Sequence, residues 1–185
     1  VAGTFGGRRL KVPASPGLRP TPERSRETLF NWLQGRIVGA RVLDLFAGSG
    51  ALAIEALSRG AASAVLLEQD RRALAALTEV TAELAPERTR LIAADSMAWL
   101  GRGNDAEPFD LVFVDPPFDS GLAEPALRSL LAGSWLSDTA EIYVEWSARS
   151  DPPFAAGTWT TLRETGSGDS ACALIERRAT TAKDL

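Results

Sequence analysis

A doubly wound α/β fold is predicted by three observations. Beyond Arg41, short apolar runs alternate with helical patterns in strict succession. Those runs are apolar on both faces, as parallel strands between two helix layers must be. A Gly-rich turn, "AGSG", joins the first run to the first helix, where such sheets bind ligands.

Residues 1 to 18 are rich in Gly, Pro and basic residues, with a possible short strand over Arg8 to Val12. In "RPTPERSRETLFNWL", Thr21 is a good N-cap and Pro22 suits the first helical position, where its missing N–H is harmless. Leu29, Phe30, Leu33 and Ile37 share one face, and Gly35 can end the helix. "RVLDLF" reads as a strand and "GALAIEALSR" as a helix closed by Gly60. "AVLLE" is a strand, and "RRALAALTEVTAELA" is a helix ended by Pro86. "RLIAA" is a strand, and Asp95-Ser96 opens a short helix ending near Gly101. "DLVFVD" is a strand, "GLAEPALRSLLA" a helix and "AEIYVEW" a strand. "TWTTLRE" and "SACALIERR" flank "TGSGD" and read as an antiparallel hairpin, preceded by Pro152-Pro153.

Composition bounds the chemistry. The chain has 185 residues, enough for one domain with a sizeable core. It contains one cysteine, Cys172, and no histidine. That excludes an intrachain disulfide, Ser-His-Asp and Cys-His catalysis, and a structural zinc site. A reducing, cytoplasmic compartment is expected. No apolar run is long enough to span a membrane, and the start, Val1 rather than Met, is expected to be trimmed or to lack its first residues in this numbering. Net charge is −4, but unevenly spread. Residues 1 to 36 hold seven basic and two acidic residues, a net of +5; the remainder holds 13 basic and 22 acidic, a net of −9. A basic arm on an acidic body fits a nucleic-acid partner. The expected organisation is therefore 1–36 as a basic arm and helix of the same domain, and 37–185 as the catalytic body.

The Gly turn alone leaves the cofactor open. Gly48 to Ala53 fits a loose dinucleotide pattern, and Glu68 follows Gly48 by 20 positions, where a ribose-binding acid belongs. Asp44 argues for another ligand. A carboxylate beside the turn repels a pyrophosphate and attracts the ammonium and sulfonium of S-adenosylmethionine. Glu68 then takes the ribose hydroxyls, and Asp95 the adenine amino group, with a neighbouring backbone N–H meeting the ring. The candidate donor site is Asp44, Phe46, Ala47, Gly48, Ser49, Gly50, Glu68, Gln69, Asp95 and Ser96.

The acceptor is read from "DLVFVDPPF". Asp115 ends the fourth strand, Pro116 has a carbonyl but no N–H, and Pro117 keeps the loop from continuing as strand or helix. A carboxylate and a bare carbonyl form an acceptor-only pair, whose partner is an exocyclic –NH2. Phe118 offers a flat face for the base. Accepting hydrogen bonds from both amine protons localises the nitrogen lone pair for attack on a methyl, so no histidine base is required. Asp115, Pro116, Pro117 and Phe118 are the catalytic candidates.

"GGRRLKVP", "GLRPTPERSRETLFNWL", "VLDLFAGSGALAIEALSRGA", "VDPPF" and "WLSDTAEIYVE" together resemble the RsmD-type bacterial 16S rRNA (guanine-N2)-methyltransferases, from about Val1 to Glu145. The resemblance implies a Rossmann-like class I methyltransferase sheet of seven strands, mostly parallel, with S-adenosylmethionine as donor. The implied target is N2 of guanine 966 in 16S rRNA, methylated during ribosome assembly. It also implies that Arg19, Thr21 and the following basic helix cover the active site and meet RNA. Arg8, Arg9, Arg19, Arg24 and Arg26 are the candidate phosphate contacts. Around "TGSGDSACALIERR" the chain departs from the family's more aromatic last strand.

Competing functions are an amino-methyltransferase for another RNA, a DNA base or a protein glutamine, a nicotinamide oxidoreductase, and a non-catalytic RNA-binding assembly factor. The second needs a substrate domain and usually a proton donor such as His, for which the chain has no room. A monomer is expected, with naked rRNA or a protein-loaded small subunit as substrate.

Overall fold

The computed structural model describes residues 3–5, 23–117 and 120–178, without the side chains of 23–25 and Ser167. The expected strand at Arg8 to Val12 and the Thr21 cap lie outside the described residues.

Seven strands form one sheet: β1 (Arg41–Asp44), β2 (Ser63–Glu68), β3 (Thr89–Ala93), β4 (Phe109–Val114), β5 (Leu136–Ser147), β6 (Trp159–Ser167) and β7 (Ser170–Arg177). The spatial order is β3-β2-β1-β4-β5-β7-β6. The first five are parallel; β7 enters antiparallel between β5 and β6. Strand order reverses between β1 and β4, which creates the crevice in which doubly wound sheets bind ligands. This is the class I methyltransferase sheet that the resemblance implies.

Helices α1 (Glu23–Trp32), α2 (Ala51–Ser58) and α3 (Arg71–Leu84) pack on one face, and α4 (Ser96–Leu100) and α5 (Ala123–Ala132) on the other. Side-chain alternation sorts β1 and β4 between these layers: Val42 and Phe113 join the first core, Leu43 and Val112 the second. α1 is part of the body, not a loose arm. Leu29, Phe30 and Leu33 are buried, and Phe30 meets Phe113 edge to face at 6.3 Å. Arg36 pairs with Glu141 on β5, at the level of Leu111 near the amino end of β4. The helix therefore enters from the carboxyl edge of the sheet. The short 3-10 turn Gly3–Phe5 is tied to the end of α2, where Thr4 Oγ1 donates to the Ser58 carbonyl at 3.1 Å and Phe5 N donates to Ser58 Oγ at 2.8 Å.

Two elements differ from the sequence reading. β5 begins four residues earlier, at Leu136, because polar Ser137, Asp138 and Thr139 continue an exposed strand start. The hairpin turn shrinks from "TGSGD" to Gly168-Asp169, since Thr165, Gly166 and Ser167 pair with Cys172, Ala171 and Ser170. Gly168 adopts φ 63°, which a two-residue hairpin turn favours.

Candidate active site

Asp44, Glu68 and Asp95 follow or end three neighbouring strands, β1, β2 and β3, at one edge of the sheet. Asp44 is 2% exposed. Its carboxylate accepts from the backbone N–H groups of Phe46 and of Ala53 in the first turn of α2. Burial nevertheless pushes its pKa from 3.8 up to about 7, the Glu68 charge adding to the rise. No ion pair joins it to any described residue. It is a buried acid short of a cation.

The Gly turn is shaped by this arrangement. Gly48 and Gly50 both take positive φ, 53° and 75°. The positive φ at Gly50 favours glycine, and a Cβ there would also stand 2.5 Å from Leu77 Cδ2 and require that side chain to shift. The Gly48 N–H donates to Glu68 Oε2 at 2.8 Å, while Glu68 Oε1 accepts from Gln69 and Asp70 N–H, each at 2.8 Å. Ala47 is buried, and Phe46 and Ser49 are half-buried around the turn. Asp95 caps α4 by accepting from Ala98 N–H at 2.8 Å, and the buried Ser96 hydroxyl donates to the Leu45 carbonyl, tying α4 to the end of β1. Asp95 therefore already has a structural task, with its second oxygen left for other donors.

The Asp115-Pro116-Pro117 segment sits next door. β4 pairs with β1, Asp44 opposite Phe113, so Asp115 lies two residues further along the adjacent strand. Asp115 is half-buried, Pro116 buried and Pro117 exposed; Phe118 lies outside the described residues. The Pro117 carbonyl is taken by Ser120 N–H at 2.9 Å, and no described residue donates to the Pro116 carbonyl. A cavity of about 290 Å³ opens here, lined by Pro116, Pro117, Leu122, Glu145, Trp146 and Pro153 among others. That volume lies at the small end of ligand pockets, about 300 Å³.

Arg8, Arg9, Arg19 and Thr21 are outside the described residues, as is the side chain of Arg24. Arg26 is turned inward. Its side chain is 18% exposed and its Nε lies 3.9 Å from the buried Glu55 carboxylate, so a phosphate would compete with that pair. Sequence reasoning missed Glu145, Tyr143 and Ser170. The Tyr143 hydroxyl donates to Glu145 Oε2 at 2.9 Å, and the Ser170 hydroxyl to Glu145 Oε1 at 2.6 Å. An acid inside the apolar "IYVEW" run was the available signal.

With the geometry in place, the comparisons are informative. The family model described as "Conserved hypothetical protein 95" matches residues 1–176. The chain belongs to this family, the RsmD family. The ribosomal RNA small subunit methyltransferase D of Escherichia coli K12 is 45% identical over 179 residues, covering 97% of this chain and 89% of that protein. The protein of the same name from Haemophilus influenzae is 41% identical over 170 residues, covering 91% and 88%. The solved structure of Escherichia coli yhhF superposes with a TM-score of 0.86 at 42% identity, covering 97% of both chains. The family membership extends through the last hairpin nearly to Arg177, including the stretch where the sequence departs from the expected aromatic pattern.

Proposed function

We propose that this RsmD-family protein methylates the exocyclic N2 of a guanine in 16S rRNA, guanine 966, using S-adenosylmethionine. The observation that carries the reading is the adjacency of a cation-seeking Asp44 and an acceptor-only Asp115-Pro116 pair on neighbouring strands.

The residues fit the methyl donor better than a dinucleotide. In a dinucleotide site the turn N–H groups and the helix N-terminus face a pyrophosphate. Here the Gly48 N–H is given to Glu68, and Asp44 itself takes the Ala53 N–H of the first turn of α2. Two carboxylates stand where phosphate would go. Asp44 would hold the ammonium, Glu68 the ribose hydroxyls, and the loop from Asp95 the adenine. When bound, S-adenosylmethionine supplies a methyl group on a positively charged sulfur. Asp115 and the Pro116 carbonyl accept from the two N2 protons and hold the amine toward that methyl, and Phe118 stacks on the ring. Asp115 or solvent receives the proton once the nitrogen has bonded carbon.

The acid edge makes one expected result simple. In a calorimetric titration S-adenosylhomocysteine binds and NAD does not, and measurable NAD binding would restore the oxidoreductase reading. The arm yields another. α1 enters from the site edge, and Arg8, Arg9, Arg19 and Arg24 are the proposed phosphate contacts. Arg8→Ala with Arg9→Ala weakens RNA binding and flattens the plot of log affinity against log salt by about 1.5, from about 0.7 to 0.9 per phosphate. An unchanged slope removes those two arginines from the interface. We assign 37–185 to the catalytic body, place the protein in the cytoplasm as a monomer, and take the partly assembled small subunit as the substrate that supplies selectivity by shape. Among the described residues no helix is long and apolar enough to cross a membrane.

A further inference from the structure

Glu145 is a buried acid without a task in the mechanism above. It lies within the buried run of β5, after Ile142, Tyr143 and Val144, each 0% exposed, and is itself 3% exposed. A carboxylate buried there costs several kcal/mol unless its oxygens are satisfied, and valine would pack more cheaply. Two neutral hydroxyls satisfy it in part, Tyr143 on one oxygen and Ser170 on the other. Each carboxylate oxygen offers two lone-pair sites, so each keeps one. No ion pair joins Glu145 to a described residue.

Its placement is informative. Val114 pairs with Val144 in parallel register, so Asp115 and Glu145 come next on adjacent strands, level with each other. Phe113 and Tyr143, two residues earlier on each strand, both belong to the core on the α1 side, which puts Asp115 and Glu145 on that same face. Glu145 also lines the cavity together with Pro116 and Pro117.

We propose that Glu145 selects guanine by accepting a hydrogen bond from N1–H of the target base while Asp115 and Pro116 take the neighbouring amine. This rests on the guanine-N2 reading and extends it. Guanine presents N1–H beside N2–H2, an unbroken row of donors that matches a row of two carboxylates and a carbonyl. Adenine and cytosine carry a ring lone pair beside their amine, which a carboxylate repels. Tyr143 and Ser170 are positioning residues that fix the carboxylate in plane.

The test uses small subunits assembled from unmethylated rRNA with the target nucleotide as guanine or as 2-aminopurine. The analogue keeps the 2-amine but has a lone pair at N1. The wild-type protein should prefer guanine by about 100-fold or more in kcat/KM, because a site built to accept from an N–H rejects the analogue that lacks it. Glu145→Gln should lose about 30-fold on guanine, compress the preference below about tenfold, and bind S-adenosylhomocysteine as before. Tyr143→Phe, which leaves the acid in place, should compress the preference by a smaller factor, and it decides the matter if Glu145→Gln does not fold. A guanine to 2-aminopurine ratio unchanged in these variants overturns the inference whatever the absolute rates. Wild-type transfer to both bases at equal rates also overturns it and leaves the guanine-N2 reading standing. Wild-type transfer to neither base overturns both.

Discussion

Replacing Asp115 with alanine lowers kcat/KM for methyl transfer to ribosomal RNA by about a thousandfold or more, with S-adenosylhomocysteine affinity within a factor of about two of wild type. Asp115 stands beyond β4 rather than beside the Gly turn, so donor binding does not depend on it. In the proposed mechanism its loss removes one of the two acceptors that orient the amine, and the only charged one. Misdirecting the attacking nitrogen then costs both orientation and electrostatic stabilisation. Asp115→Asn separates these contributions. Its amide oxygen still accepts from one N2 proton but carries no charge, so it should retain roughly a tenth to a hundredth of the activity. Single-turnover rates on unmethylated small subunits check both variants. Alanine activity within tenfold of wild type would remove Asp115 from the chemistry. Equal losses in alanine and asparagine would mean that charge alone matters.

The sheet was legible because buried parallel strands write themselves as apolar runs, and Gly48, Gly50 and Gly60 mark the places where the chain takes positive φ. The shared placement of Asp44, Glu68 and Asp95 was legible for a related reason: acids at the ends of apolar strands stand out. The edge of the sheet was not. Thr165, Gly166 and Ser167 form a polar strand whose pairing depends on a partner, and the residues themselves look like a loop. Glu145 was missed because its setting is assembled across the chain. Ser170 reaches it only because β7 inserts beside β5, with Glu145 opposite Cys172. The same proximity holds the Cys172 thiol up at about 11, by burial first and by the Glu145 and Asp115 charges besides, so the lone cysteine stays protonated and inert. The inward turn of Arg26 was hidden likewise, since its partner Glu55 lies on α2 and is named by no local pattern.

Asp44→Asn should make the protein more stable and less able to bind its ligand. The wild-type carboxyl has a folded pKa of about 7 against 3.8 for the ordinary group. A raised folded pKa means that the native state holds a proton the unfolded state releases. The associated stability is therefore present in full below 3.8 and is lost as pH rises to about 7, at about 1.4 kcal/mol per pH unit. Asparagine does not titrate, so its advantage over Asp44 grows across that window and then levels. Part of it is offset because the asparagine amide has one accepting oxygen in place of two for the Phe46 and Ala53 N–H groups, at a cost of about 1 to 2 kcal/mol. The net expectation is a variant about 3 kcal/mol more stable at pH 8 and no more stable, or less, near pH 5. Ligand binding moves the other way. An ammonium beside an ionised Asp44 is worth about 2 kcal/mol, so S-adenosylhomocysteine should bind the variant roughly 30-fold more weakly at pH 8. In the wild type its affinity should fall as pH drops below about 7, by roughly 30-fold in all before it levels, and in the variant this step should vanish. Urea unfolding at both pH values and calorimetry across the range measure the two halves independently. Lower stability at pH 8 with unaltered ligand affinity would leave Asp44 as a cap for α2 and nothing more. A stability gain joined to a binding loss would identify it as an acid held at a cost to the fold, because the cation it waits for arrives only with the methyl donor.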